Sequence, residues 1–201
     1  MPTERLVLAS QSPRRRDILA RLAIVPDIEP ADIDETPQPG EDPDTYVERL
    51  ARSKAAAVSR PGTVVLAADT AVVIEGAIVG KPTDRDDARR ILMAMSDSSH
   101  LVVSGVAVSR HRTDHQMEVV SGVERTVVQF AKITPARLDW YLSTGEGDDK
   151  AGAYGLQGAA GIFADRVDGS VNNVIGLPLG LVDRLFAELS LDLLSFATPP
   201  A

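Results

Sequence analysis

Cysteine is absent from the 201 residues. That excludes disulfide staples, thiolate zinc sites, iron–sulfur ligation and a cysteine nucleophile together. No apolar run approaches the roughly 18 residues that a membrane span needs. The first residues, Met1-Pro2-Thr3-Glu4-Arg5-Leu6, contain no basic segment leading into a signal-peptide apolar stretch. A cytoplasmic protein with no membrane partner is the expectation. Positive charge is also in short supply, with 21 basic residues against 29 acidic ones and a net charge of −8. A protein that coats DNA or RNA needs a basic surface, so no polymeric nucleic-acid partner is expected. A small anionic ligand is still allowed where a few cations converge against the overall field. The three histidines lie near no suitable serine, which gives no support to a Ser-His-Asp triad. Only four residues are lysine, namely Lys54, Lys81, Lys132 and Lys150.

What is present suits a globular α/β chain. Apolar residues make up 44% of the sequence, enough for a core and too many for a disordered polymer. Residues 1–195 are expected to form a single domain of two lobes, with a frayed tail over 196–201. Arg5 to Ala9 reads as a short buried strand that runs into Ser10-Gln11-Ser12-Pro13. Serine before proline is a helix opening, with Ser12 as cap and an apolar stripe of Ile18, Leu19 and Leu22. A second helix is expected from Pro43 to about Ser59 behind Asp42. The run Thr63 to Ala68 (TVVLAA) reads as a strand buried on both faces that ends at Asp69-Thr70 and resumes at Ala71. A turn follows at Glu75-Gly76, and Thr83 is expected to cap a third helix through Met95. Two long strands, Leu101 to Val108 and Glu118 to Phe130, flank a polar loop carrying His111 and His115. Thr134-Pro135 opens a helix that Gly145 stops. A hairpin around Asp168-Gly169 and a last helix from Pro178 to Leu189 complete the pattern. His100 reads as a strand-edge residue, and Trp140, Tyr141 and Leu142 read as core.

Four constellations could carry chemistry. The first is Ser10-Gln11-Ser12-Pro13-Arg14-Arg15-Arg16. Arginines in the first turn of a helix oppose its dipole, so three in a row are unfavourable for stability alone. A bound polyphosphate reverses that sign, with free backbone N–H groups and serine hydroxyls as further donors. The alternative is a solvated basic turn that tolerates the repulsion. The second is Lys54, which shares one helix face with Val47, Leu50, Ala51, Ala55 and Val58. An ammonium group on an apolar stripe must be paired, or must snorkel to an opening. The third is Asp69 after the buried run, a position where a carboxylate can bind a divalent cation or take a proton from water. The bland alternative is a turn aspartate bonding its own backbone. Asp32-Ile33-Asp34-Glu35 supplies a second acidic group. The fourth is the glycine-rich stretch 145–158, where small residues around Tyr154 let backbone approach a ligand and Gln157 could read a base edge. A structural glycine loop is its alternative. Gly76 to Pro82 fails as a P-loop, having three residues between its glycines and proline after Lys81.

Taken together these segments resemble the Maf family, known as septum formation inhibitors and nucleoside triphosphate pyrophosphatases. The matching stretches are LASQSPRRRDIL at 8–19, DET at 34–36, RLARSKA at 49–55 and AADT at 67–70, then GKP at 80–82, DKAGAYGLQG at 149–158 and VIGLPL at 174–179. The resemblance implies a bent mixed sheet flanked by helices, with two lobes around a central cleft, in a homodimer. It implies hydrolysis of a nucleoside triphosphate to the monophosphate and pyrophosphate with Mg²⁺, or with Mn²⁺ or Co²⁺ in its place. Asp69 matches the family's proton acceptor, and Ser10, Arg14, Arg15, Lys54 and Lys81 match its phosphate-binding positions. Glu35 matches an acidic position near the metal, which makes Asp69 and Glu35 the implied metal ligands. Arg14, Thr70 and Gln157 match the specificity positions of the subgroup that prefers dTTP and UTP, which opens the way to modified pyrimidine nucleotides and nucleotide-pool house-cleaning. The family name keeps a second class in view, a nucleotide-binding regulator of division that acts through partners. Two departures stand out: Asp97-Ser98-Ser99 replaces a glycine-containing turn, and Val171 stands where an aromatic residue is usual.

Overall fold

The computed structural model describes residues 4–112 and 116–198, so His115 lies outside the described residues. The elements in chain order are β1 (Arg5–Leu8), α1 (Pro13–Ala20), β2 (Asp27–Ile28), α2 (Pro43–Val58), β3 (Thr63–Ile74), β4 (Ala77–Val79) and α3 (Arg85–Met95). They continue with β5 (Ser99–His111), β6 (Met117–Phe130), α4 (Pro135–Thr144), β7 (Ala164–Asp168), α5 (Val171–Ile175) and α6 (Leu179–Glu188). Short 3₁₀ turns occupy Ala151–Ala153, Ala159–Phe163 and Leu193–Phe196. The strands form one mixed seven-stranded sheet in the order β2-β1-β3-β5-β6-β7, with β4 paired to β3. Helices flank it, which is the α/β class expected. Among the described residues no helix is long and apolar enough to cross a membrane. The chain divides into two compact units. The first takes the chain up to Asp69, Ser104–Glu124 and the chain from Gly176 onward, and the second takes Thr70–Val103 and Arg125–Ile175.

In the first unit β1 and β3 pair in parallel from Arg5↔Thr63 to Leu8↔Leu66, and β2 adds in parallel to β1. Two helices intervene between the paired strands, the strand–helix–helix–strand unit read in the sequence. The core here is built from small residues, with Ala51 and Ala55 of α2 buried with Val65 and Ala67 of β3. β5 passes so close to α2 that a Cβ at Gly105 would lie 2.3 Å from the carbonyl oxygen of Val47. Small side chains therefore bring the backbone of α2 close to the sheet, and Lys54 on its buried face comes with it. Of the tail expected to fray over 196–201, the described residues up to Thr198 are tied to the first unit, and 199–201 lie outside the described residues. Phe196 packs edge-to-face on Phe186, Ala197 bridges to Ile24, and the Thr198 N–H donates to the Ala23 carbonyl at 2.9 Å.

The second unit has an aromatic core. Phe130, Tyr141, Tyr154 and Phe163 are buried among Met95, Leu138 and their neighbours. β3 does not stop at Asp69-Thr70 as expected but runs on to Ile74, because Val72 to Ile74 pair with Val79 to Ala77 of β4. The connecting Glu75 and Gly76 both have left-handed φ, 51° and 82°, the two-residue turn that matches strand twist. α3 is capped by Asp84 rather than Thr83. The Asp84 carboxylate accepts from the Asp87 N–H at 2.8 Å, while the Thr83 N–H donates to the Asp87 carboxylate. No hairpin forms at Asp168-Gly169, since β7 pairs antiparallel with β6 and α5 follows directly. Tyr141 and Leu142 are core, but Trp140 is 47% exposed.

His100 is a core residue and not an edge one. It is 3% exposed, its Nε2 shares a 2.8 Å hydrogen bond with the Tyr154 hydroxyl, and it meets the Phe130 ring edge-on. Its Nδ1 has no hydrogen-bond partner among the described residues. Burial pushes the imidazole down from 6.5 to about 4. The folded chain thus binds fewer protons than the unfolded chain between those values, and stability falls as pH drops through that window. The full loss is about 3 kcal/mol, complete near pH 4. Urea unfolding at pH 7.5 and pH 4.5 checks this. The stability difference between the two pH values should shrink in a His100→Phe variant, because carboxylate titration is common to both chains.

Candidate active site

The chain leaves β1 through Ser10 and enters α1 at Pro13. Ser12 sits at the cap position, but its side chain makes no capping bond. Its N–H donates to the Ser10 hydroxyl at 3.2 Å, and that hydroxyl also accepts from Arg15 Nη1 at 3.0 Å. Arg15 Nε donates to the Gly176 carbonyl at 2.9 Å. The three arginines therefore separate. Arg15 turns inward and is 9% exposed, Arg14 is half-buried and Arg16 is exposed. Burial lowers the pKa of the Arg15 guanidinium, the Asp69 carboxylate opposes that, Arg14 adds to it, and Glu35 opposes it. A buried cation at a helix start feels both acidic candidates at once.

α2 carries the second cation. Lys54 is 7% exposed and does not snorkel to solvent. Its Nζ lies 2.6 Å from Asp69 Oδ1 and 2.7 Å from Glu35 Oε1. Asp69 is 8% exposed and lies on β3 three residues beyond Leu66, the last residue of β3 paired with β1. It is a strand residue, which removes the turn-aspartate alternative. Glu35 reaches the same ammonium from the loop before α2, and two residues missed in the sequence hold that loop. The Tyr46 hydroxyl donates to the Glu35 carbonyl at 3.0 Å, and Arg49 donates to the Thr36 carbonyl while clasping Glu41 through Nε and Nη2 at 2.6 and 2.7 Å. The Arg49 guanidinium lies over the Tyr46 ring, 5.7 Å from its centroid. Bonding to Arg49 draws the Glu41 carboxyl down to about 2. Burial, then Asp69 and Glu35, push the Tyr46 hydroxyl up to about 12. A signal was available, because Tyr46, Leu50 and Lys54 fall at four-residue spacing on one helix face.

The remaining predicted residues belong to the second unit. Thr70 follows Asp69 on β3 and is half-buried, Lys81 is exposed after β4, and Gln157 is exposed in the glycine-rich segment. The glycines of that segment make room for the protein itself. A Cβ on Gly147 would meet the Ala153 carbonyl at 2.1 Å, one on Gly152 would meet Val72 at 2.8 Å, and one on Gly158 would meet the Glu146 carboxylate at 2.2 Å. The structural-loop alternative describes these three positions.

Ser10, Arg15, Lys54, Asp69 and Glu35 thus form one buried-to-exposed cluster in the first unit. Among the described residues no group of three or more His, Asp or Glu side chains could hold a metal by itself. Two carboxylates meeting at one cation do fit a hard divalent ion of the Mg²⁺ kind, which takes one or two protein carboxylates and completes its shell with water and phosphate oxygens.

A family model described as Maf-like protein matches residues 5–189. The chain belongs to this family. A dTTP/UTP pyrophosphatase of Anaeromyxobacter dehalogenans (strain 2CP-C) is 55% identical over 175 residues, which cover 87% of this chain and 89% of that one. A dTTP/UTP pyrophosphatase of Myxococcus xanthus (strain DK1622) is 44% identical over 190 residues, 94% of each chain. Among solved structures, a HAM1 protein from Coxiella burnetii is similar with a TM-score of 0.47 and 18% identity, over 93% of this chain and 98% of that one. The residues of this Maf-like chain that converge on Lys54 Nζ, Asp69 and Glu35, fall inside the matched span.

Proposed function

We propose that this Maf-like chain hydrolyses dTTP and UTP, or modified pyrimidine nucleotides, to the monophosphate and pyrophosphate. The observation that carries the reading is the Asp69–Lys54–Glu35 cluster beside the buried Arg15. It is a local concentration of cations and carboxylates on a chain of net charge −8, and relatives at 55% and 44% identity bear the name of that reaction. Pyrophosphate release from dTTP and UTP in the presence of Mg²⁺, and none with a chelator, is the expected result. Tight nucleotide binding without any pyrophosphate would favour a division regulator and end the enzymatic reading.

In the proposed reaction a water oxygen bonds to the α-phosphorus, and the bond from that phosphorus to the pyrophosphate oxygen breaks. Asp69 orients the water and accepts its proton. Lys54, Arg14 and Arg15, with the Ser10 hydroxyl, bind the phosphate tail and offset the charge that develops on the leaving group. Lys81 is assigned to the same task by the family resemblance, and Thr70 and Gln157 to recognition of the pyrimidine. Asp69 and Glu35 would hold Mg²⁺, or Mn²⁺ or Co²⁺, which supplies further charge stabilisation at phosphoryl oxygens. A homodimer in the cytoplasm completes the reading and is tested by sedimentation and cell fractionation.

Glu35 is the more exposed of the two carboxylates, with 54% of its side chain accessible against 12% for Asp69. Glu35→Gln is therefore expected to weaken metal binding more than folding. Its kcat/KM should fall about a hundredfold at low Mg²⁺ and recover most of that loss as Mg²⁺ is raised. A loss independent of Mg²⁺ concentration would remove Glu35 from metal binding.

A further inference from the structure

The second unit contains a closed loop with Gln157 two residues before its closing point, and the chemistry at its neck has no part in the steps above. Glu146 Oε2 accepts from the Ala159 N–H at 2.7 Å, and Oε1 accepts from the Ala160 N–H and the Tyr141 hydroxyl at 3.4 and 3.3 Å. One carboxylate thus ties the start of the segment to its end, thirteen residues later. Gly158 lets it do so, since a side chain there would collide with that carboxylate. The Lys150 ammonium donates to the Glu146 carbonyl, and the stem of Lys150 passes against Gly155, 3.1 Å from where a Cβ would stand. Inside the loop the Tyr154 hydroxyl is anchored on buried His100. Gln157 lies between these two anchors, three residues after Tyr154 and two before Ala159, with its side chain exposed.

We propose that Glu146 is a positioning residue that fixes the backbone carrying Gln157 and so sets the preference for a pyrimidine base. A carboxylate that accepts two backbone N–H groups and a hydroxyl holds a loop more firmly than neutral partners do, because charge-assisted bonds are roughly twice as strong. An amide group that must meet base-edge donors and acceptors loses its selectivity once its backbone drifts by about 1 Å. The inference rests on the assignment of Gln157 to base recognition, and the experiment separates the two.

The measurement is kcat and KM for dTTP and for dGTP in the intact protein, in Glu146→Ala, Glu146→Gln, Gln157→Ala and the Glu146→Ala/Gln157→Ala double variant, with a thermal melt for each. Gln157→Ala is expected to cut the dTTP-over-dGTP ratio of kcat/KM about tenfold, the value of one or two neutral hydrogen bonds. Glu146→Ala should give a similar loss, mainly by raising KM for dTTP, and the double variant should lose little more than either single one. Glu146→Gln keeps an acceptor oxygen for the Ala159 N–H and should recover part of the ratio; it carries the same test if the alanine variant fails to fold. Equal losses for both nucleotides in the Glu146 variants, or full additivity with Gln157→Ala, would overturn the positioning role. A Gln157→Ala variant with an unchanged ratio would overturn the base-reading assignment instead, and the inference with it.

Discussion

Replacing Asp69 with asparagine is expected to lower kcat for dTTP about a thousandfold while the chain still folds. The size follows from the proton that Asp69 accepts, since a positioned base contributes roughly 10²–10⁴ in rate. Asparagine is nearly isosteric and keeps an oxygen that can accept from Lys54 Nζ, which lies 2.6 Å from the present carboxylate. Lys54 also retains Glu35 at 2.7 Å, so its ammonium is not left without a carboxylate. The stability cost is therefore small, about 1 kcal/mol. KM at saturating Mg²⁺ should stay level, because loss of a negative charge beside the phosphate tail offsets the weaker hold of an amide oxygen on the metal. Steady-state kinetics with a urea melt of the same preparation checks both halves. A variant that turns over within threefold of the parent would remove Asp69 from proton transfer and from any essential contact.

The parts of the fold that local chemistry punctuates were legible in the sequence. Pro13, Pro43 and Pro135 open helices where expected, and Gly145 closes one with a left-handed φ of 67°. The continuation of β3 through Asp69-Thr70 was not legible, because it depends on β4 folding back onto Val72 to Ile74. His100 and Trp140 exchanged roles for a similar reason. Which strand residue faces the aromatic core, and which helix face is left uncovered, are settled by packing across the unit and not by neighbours in sequence. The inward turn of Arg15 was legible and was missed. Arg15 precedes Ile18 by three residues and Leu19 by four and so lies over both, whereas Arg14 is at helical spacing from Ile18 only and Arg16 from Leu19 only. The Lys54 stripe leaves pairing and snorkelling both open in the sequence, because the carboxylates that decide between them come from a strand and a loop that no periodicity brings together. Glu146 carried no signal, since a carboxylate that closes a loop looks like any loop carboxylate until the loop is closed.

Replacing Lys54 with methionine is expected to do more damage than its apolar surroundings suggest. Methionine suits a stripe that contains Leu50 and Ala51, yet the ammonium that it removes is the group bonded to a carboxylate only 8% exposed. Breaking one side of a buried ion pair costs about 3 kcal/mol, most of it the penalty of a carboxylate left without its nearest cation. Catalysis should fall about a hundredfold or more, as charge on the leaving group loses a cation in a site screened from water. The Lys54→Met/Asp69→Asn double variant separates the two effects. With both charges gone, the buried penalty disappears, so the double variant should be about 2 kcal/mol more stable than Lys54→Met alone. Its turnover should nevertheless stay as low as that of Asp69→Asn, because no neutral pair can accept the proton of water and offset charge on pyrophosphate together. Stability that fails to recover would mean that Arg15, whose guanidinium feels the Asp69 carboxylate, already compensates for that charge. Turnover that recovers with stability would mean that Lys54 and Asp69 hold the fold together and take no part in chemistry.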